Sequence, residues 1–589
     1  MQPADDGGSA RSNQLQRYGP VAIIVVLLVV IAGVVVIGGG DDGDSASDAG
    51  TDGGAQEWTS VEGAEPGAPE PVGDMPVTYA EAEEAGVTDD HSWPDTCDTE
   101  LGTIMIPSVY APPCVPAFEG DNGGATSPGV TAESIKVVYY APEQSNDLTA
   151  ILGGMGVNDT AEQRVETLEN YLTIFTSVGE SYGREIELVR FAASGATNDV
   201  VASAADAADV IAMEPFAVIG GPGLDRGTFA QEIADAGILC YGCGAYLPDD
   251  MIQEMAPYVW NGPPSPDQFL GLLNAWTTAA LQGADSTAAF AGGDLAGKER
   301  KVGVIHFEQD PPIYGGTEEE QRERFGEDAV AFNEAYILDL PNMPAKAAEL
   351  IAKYKAEGVT TIVFLGDPFM PGYLTSAATE QDYRPEWIFT GTALTDTNVL
   401  ARTWDQEQMT RAYGISQLAA PTDQDLQEAI TVYRWYYGEG AMPPAQSQYA
   451  LIAPPVAWLV AGIHMAGPDL TPDTFARGLF RMPPRGGGPS RPQVSYGNWG
   501  LFPEMDYQGI DDAVEIWWDP SVEAEDERGT PGTGAWRRSN GAARFTIDEA
   551  PEPAPFTDAS DALTIVTELP PEDAAPEYPP PPGSPAAGG

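Results

Sequence analysis

Phe216-Ala-Val-Ile-Gly-Gly-Pro-Gly223 is a short apolar strand that runs straight into a glycine-rich loop, and a helix-length segment at 229–236 follows it. The same phrase recurs on both sides. Strands are read at 134–140, 185–191, 216–220 and 238–241, then again at 301–306, 335–338, 361–365 and 387–391. Each ends at Gly, Pro or acidic residues. Between them, 161–178 places Val165, Leu168, Tyr171, Leu172 and Phe175 on one helical face. Segments 200–212, 266–281, 345–356, 370–379, 431–437 and 451–465 read as further helices, with Pro454 and Pro455 bending or starting the last. Strands alternating with helices predict parallel sheets. The phrase completes and then restarts, so the fold class is α/β with two lobes. Ligands of open parallel sheets sit beyond the carboxyl ends of the strands. Two such sheets facing each other predict a cleft that closes on a small molecule.

Composition sets the bounds. At roughly 100–200 residues per domain, 589 residues exceed one core. Lys plus Arg number 27 against 90 Asp plus Glu, a formal charge of −63. That field repels nucleic acid and anionic lipid, so neither is expected as a partner. The scarcity of basic residues fits a surface adapted to high salt, where screening relieves self-repulsion; the alternative is an ordinary acidic exported protein.

Residues 21–37 are unbroken apolar sequence, softened only by Gly33, with Arg11 and Arg17 before and Asp41, Asp42 and Asp44 after. At about 1.5 Å per residue this run is near the lower limit for crossing ~30 Å of hydrocarbon. The positive flank stays cytoplasmic, which puts the bulk of the chain outside. A cleaved signal peptide would have a core of about 7–15 residues and a small-x-small site; this run is longer and no Ala-x-Ala follows it. The expected organisation is a cytoplasmic tail at 1–17, a single-pass membrane helix at 18–38 and an acidic disordered tether at 39–93. A disulfide-clipped cap at 94–128 follows. Lobe 1 takes 129–262 and 420–492, lobe 2 takes 263–419 and 493–545, and 546–589 is a disordered Pro-rich tail. An even set of four cysteines outside the cytoplasm suggests two disulfides, most simply Cys97 with Cys114 and Cys240 with Cys243.

Several phrases, taken in order, carry a resemblance. They are Pro128-Gly-Val-Thr-Ala-Glu-Ser-Ile-Lys-Val-Val138, Gly183-Arg-Glu-Ile-Glu-Leu-Val189, Phe216-Ala-Val-Ile-Gly-Gly-Pro222 and Tyr314-Gly315. Over about residues 94–545 the chain resembles the type I periplasmic binding proteins, in particular the branched-chain amino acid and amide-like solute-binding proteins of ABC transporters. The Cys97-to-Cys114 clip and Asp121-Asn-Gly-Gly-Ala-Thr-Ser-Pro-Gly129 resemble a membrane-attached actinobacterial version. The resemblance implies two hinged Rossmann-like lobes that bind a small polar solute such as an amino acid or amide. It also implies a permease partner in the same membrane, a monomer, no cofactor and no enzymatic activity. One departure stands out. Amino-acid binders of this family place Ser or Thr hydroxyls in the loops after the third and fourth strands. Here those loops read Gly221-Pro-Gly-Leu-Asp-Arg226 and Gly242-Cys-Gly-Ala-Tyr246, with neither.

Candidate ligand residues are those at strand-end loops. Gly221 and Gly223, with Leu224, let a ligand approach backbone N–H groups; a tight turn is the plainer reading. Tyr140, Tyr246, Tyr314 and Phe369 are candidate aromatic walls, against which stands simple packing. Cys243, Ala245 and Thr392 share those loops. Asp367 and Asp396 could hold a cationic group or merely cap helices. Cys240-Tyr-Gly-Cys243 has redox spacing, but Gly244 and Pro248 follow without helical periodicity, which favours a structural disulfide. Gly179-Glu-Ser-Tyr-Gly183 matches G-x-S-x-G by letter, but a helix precedes it and a strand follows, the reverse of a nucleophile elbow. With only His91, His306 and His464, neither a catalytic triad nor a metal centre is expected. A sensor module uncoupled from transport and, more remotely, an α/β hydrolase are the alternative readings.

Overall fold

The computed structural model describes residues 66–142, 159–197, 199–223, 225–244, 246–281, 286–308, 330–337, 339, 341–526, 530–550 and 561–588. The expected cytoplasmic tail and membrane helix lie outside them. The first described element is α1 (Tyr79–Ala85), closed by a Thr78/Glu81 capping box. Arg481 binds Glu81, Nη2 to Oε2 at 2.6 Å, and donates to the Pro76 carbonyl at 3.0 Å. Residues 66–93, expected as disordered tether, are therefore tied to the fold. The correction has a local cause: a capped helix whose acid meets a buried arginine. The cap follows, with β1 (Cys97–Asp98) and β2 (Thr103–Ile104) antiparallel and Cys97 bonded to Cys114.

Lobe 1 is a five-stranded sheet of β3 (Ser134–Ala141), β4 (Glu185–Ala192), β5 (Ala217–Ile219), β6 (Leu239–Tyr241) and β7 (Val259–Trp260). Its order is β4-β3-β5-β6-β7 and every pairing is parallel. Central β3 is buried on both faces, which is why it reads as a continuous apolar run. Around it lie α2 (Ala161–Thr176), α3 (Val200–Ile211), α4 (Thr228–Asp235) and α5 (Asp249–Glu254).

Helix α6 (Pro266–Leu281) begins lobe 2. The strands there are β8 (Val302–Phe307), β9 (Val330–Tyr336), β10 (Thr361–Leu365), β11 (Glu386–Phe389) and β12 (Ala412–Ser416). They run β9-β8-β10-β11-β12, parallel, the same order as lobe 1. Two antiparallel strands, β13 (Ala513–Glu525) and β14 (Pro531–Arg538), extend the sheet past β12, and β15 (Arg544–Phe545) pairs with β13. The sheet separates its side chains with the period of two that a strand imposes. Ile362 and Phe364 pack with Leu350, Ile351 and Tyr354 of α7 (Met343–Glu357) and with Leu374 of α8 (Met370–Glu380). Val363 and Leu365 pack on the other face with Leu272, Leu273 and Trp276 of α6.

After the short helices α9 (Asn398–Ala401) and α10 (Gln406–Met409), the chain returns to lobe 1 as α11 (Glu428–Tyr437), α12 (Tyr449–Ala466) and α13 (Pro472–Phe480). Among the described residues α12 alone is long and apolar enough to cross a membrane. It is mostly buried, and Leu459 and Ile463 lie in the same core as Leu168 and Tyr171 of α2 and Phe475 of α13. Pro454 and Pro455 sit inside it. Three segments thus join the lobes: 261–265, 417–427 and the stretch from Met482 to Asp512. In the last, Tyr496 and Tyr507 pack on Trp260 with ring centroids 5.5 and 4.8 Å away. Residues 494–507, expected in lobe 2, therefore belong with the lobe 1 core.

The Pro-rich tail is not loose over 561–588. Leu563 exchanges backbone bonds with Arg538, and Val566 N–H donates to the Pro421 carbonyl. Asp573, fully buried, accepts from the Ser490 N–H and hydroxyl, both at 2.7 Å. Tyr578 donates to Asp98 at 2.9 Å. The tail runs from lobe 2 over the second crossing to lobe 1 and the cap, because it brings its own partners for groups the lobes leave unpaired.

Candidate ligand cleft

The chain leaves β7 at Trp260 directly into the first crossing, and leaves β12 at Ser416 directly into the second. Both sheets therefore present their carboxyl ends toward the junction. In each, the first strand of the lobe, β3 or β8, has its successor on one side and the third strand on the other, which is a topological switch point. The loops after β5, β6, β10 and β11 border the gap.

Sequence candidates fall into three groups. Leu224, Ala245 and Tyr314 lie outside the described residues. Tyr140 is turned away from the cleft into the lobe 1 core, and this corrects the expectation. Its hydroxyl donates to Asp206 at 2.8 Å, and its ring lies 5.7 Å from Phe191 and 4.9 Å from Phe229. Asp367 caps α8, accepting from the Phe369 and Met370 N–H groups at 2.7 and 3.1 Å, and it also takes the Tyr336 hydroxyl. Asp396 is buried and takes the Ser416 hydroxyl. Phe369 leans on the lobe 2 core. Thr392 fastens the β11 loop to the β10 loop, accepting from Gly366 N–H at 3.2 Å. Cys243 is buried and bonded to Cys240. A side chain at Gly221 would stand 2.7 Å from the Cys243 Cβ, so this glycine is dictated by packing between the two loops. Gly223, at φ +82°, faces open space. Tyr246 is half exposed.

Sequence reasoning overlooked other residues. Arg226 in the β5 loop is exposed and holds φ +62°; Leu394 in the β11 loop is exposed at φ +67°. It also overlooked a chain of carboxyls at the crossings. Asp506 accepts from Gln268 at 2.6 Å and from the Gln508 N–H at 2.8 Å. Burial, with the charge of Asp249 nearby, pushes it up to about 8. Asp249 is itself raised to about 7 by burial and by Asp267, Glu504 and Asp250. Asp511 is raised in the same direction by burial and Asp506, and accepts from Ser495 at 2.8 Å. Asp512 pairs with Arg544. No motif announces this group, since its members come from distant stretches of an acid-rich chain.

No family model matches the chain, and no curated protein matches it. Solved structures do. A fatty acid ABC transporter substrate-binding protein from Thermomonospora curvata is 14% identical, with 74% of this chain and 97% of that one covered at a TM-score of 0.44. The branched-chain amino acid transporter substrate binding protein LivJ from Streptococcus pneumoniae, in complex with isoleucine, is 12% identical over 69% and 100%, at 0.42. An ABC transporter solute binding protein from R. palustris, in complex with 4-hydroxybenzoate, is 12% identical over 71% and 98%, at 0.46.

Proposed function

We propose that this chain is an extracytoplasmic solute-binding protein whose two lobes close on a small molecule and deliver it to an ABC transporter permease. The observation that carries the reading is the pair of parallel sheets of identical order, their switch points brought to one gap by three crossing segments. A cleft between hinged lobes binds by population shift: the ligand prefers the closed form because only there do both walls touch it. Moving such a pair of states from 1:99 to 99:1 takes about 5.5 kcal/mol of differential affinity. The fatty acid, isoleucine and 4-hydroxybenzoate named for the similar structures make small carboxylates the first solutes to try. Residues 18–38 serve in this reading as the membrane anchor, with the lobes outside. Calorimetry against a broad solute panel, with X-ray scattering on the same samples, tests it. A saturable heat accompanied by a smaller radius of gyration is expected. A folded protein that neither binds nor compacts with any solute overturns it.

A further inference from the structure

Ten large hydrophobic side chains are exposed among the described residues. Six of them, Val200, Val201, Tyr246, Ile337, Leu394 and Leu418, follow the carboxyl end of a parallel strand. The amino ends carry the opposite chemistry: Arg184, Lys301, Arg384 and Arg411 each stand just before a strand. Exposed apolar surface is thus concentrated on the side of the cleft.

Tyr246 and Leu394 are the sharpest case. Each lies five residues past the end of the fourth strand of its lobe, Tyr241 to Tyr246 and Phe389 to Leu394, so they occupy equivalent loops at the carboxyl edges of the two sheets. They are 49% and 51% exposed, at φ +66° and +67°. A non-glycine residue in that region is strained. Backbone energy is thus spent to hold two apolar groups in water, an arrangement that makes sense when a ligand covers them. Three carboxylates in the β5, β10 and β11 loops are meanwhile engaged within the protein. Asp225 takes the Phe229 N–H of α4 at 2.7 Å, Asp367 caps α8, and Asp396 takes Ser416. A cation on this side is Arg226, in the loop that also holds open-faced Gly223. A guanidinium has five donors, so a partner within the protein does not exhaust it.

We infer that the cleft takes a carboxylate with an apolar body, alkyl or aromatic, with Tyr246 and Leu394 closing on the body and Arg226 on the head group. The inference rests on the solute-binding reading above. The full-length chain is titrated with octanoate, phenylacetate, 1-octanol, isoleucine and glutamine, by calorimetry and scattering together. Octanoate or phenylacetate is expected to bind and compact the protein. Tyr246→Gly and Leu394→Gly should each weaken that binding on the order of tenfold, while thermal stability holds or rises because the backbone strain is relieved. Arg226→Gln should bring octanoate down to the affinity of 1-octanol, and Arg226→Lys should recover part of the loss. If isoleucine or glutamine compacts the protein and the two carboxylates do not, the apolar assignment falls while the solute-binding reading stands. If 1-octanol binds wild type as tightly as octanoate, the head-group assignment falls. If nothing compacts the protein, both readings fall.

Discussion

Asp506 is buried at the crossings, where its acid keeps a proton to about pH 8, against an ordinary aspartate value of about 3.9 in the unfolded chain. A carboxyl raised on folding makes the folded state hold more protons than the unfolded state between those two values. Stability therefore falls as pH rises through that window. His464 works the other way. It accepts the Glu180 N–H at 2.8 Å and its other ring nitrogen lies 2.9 Å from the Pro113 carbonyl; burial lowers its pKa. Its contribution grows as pH rises toward 6.5 and is complete above. Between pH 7 and 8.5 the histidine no longer contributes to the change, and Asp506 acts together with its raised neighbours Asp249 and Asp511. The melting temperature of wild type is expected to drop across that interval, and Asp506→Asn should flatten the drop; an unchanged slope in the variant rejects the assignment.

At the scale of elements, β12 shows what close strand packing demands. Gly414 lies at φ +153°, and a Cβ there would stand 1.7 Å from the Phe389 carbonyl oxygen of β11. Gly414→Ala should cost on the order of 3 kcal/mol by forcing the strands apart, read as a lower urea midpoint. The same strand shows where sequence reading stops. Strands that are short apolar runs closed by glycine or proline, such as β3, β5 and β10, were legible because both faces are buried and the run is continuous. Ala-Tyr-Gly-Ile-Ser in β12 hides behind its glycine, and β7 is only two residues long. β13 carries Asp519-Pro-Ser521 and a register shift, so it reads as a loop. Burial on both faces also explains the misplacement of Tyr140: with no polar side to the strand, the pattern cannot say which residue faces the cleft. Asp367 could be read either way from sequence, and the start of α8 three residues later decided for capping.

At the scale of the molecule, the two lobes are held by three crossings and by a fourth connection that the sequence did not suggest, the stretch 561–588. Its proline and acid content resembles a solvated tail, yet Asp573 is enclosed, and a side chain at Gly488 would stand 2.0 Å from its carboxylate. Because the strap is fastened to β14 at Leu563, to the second crossing at Val566, to the third crossing at Ser490 and to lobe 1 at Trp435, it should shorten the arc through which the lobes can open. Removing residues 561–589 should enlarge the radius of gyration of the unliganded protein and weaken solute binding, since a more open resting state leaves a smaller closed fraction to select. Asp573→Ala alone leaves the buried Ser490 groups without their acceptor, a loss of about 1–3 kcal/mol, and should reproduce part of the opening. Scattering curves for wild type and the truncated chain that superimpose without ligand would show that the strap covers the lobes without restraining them.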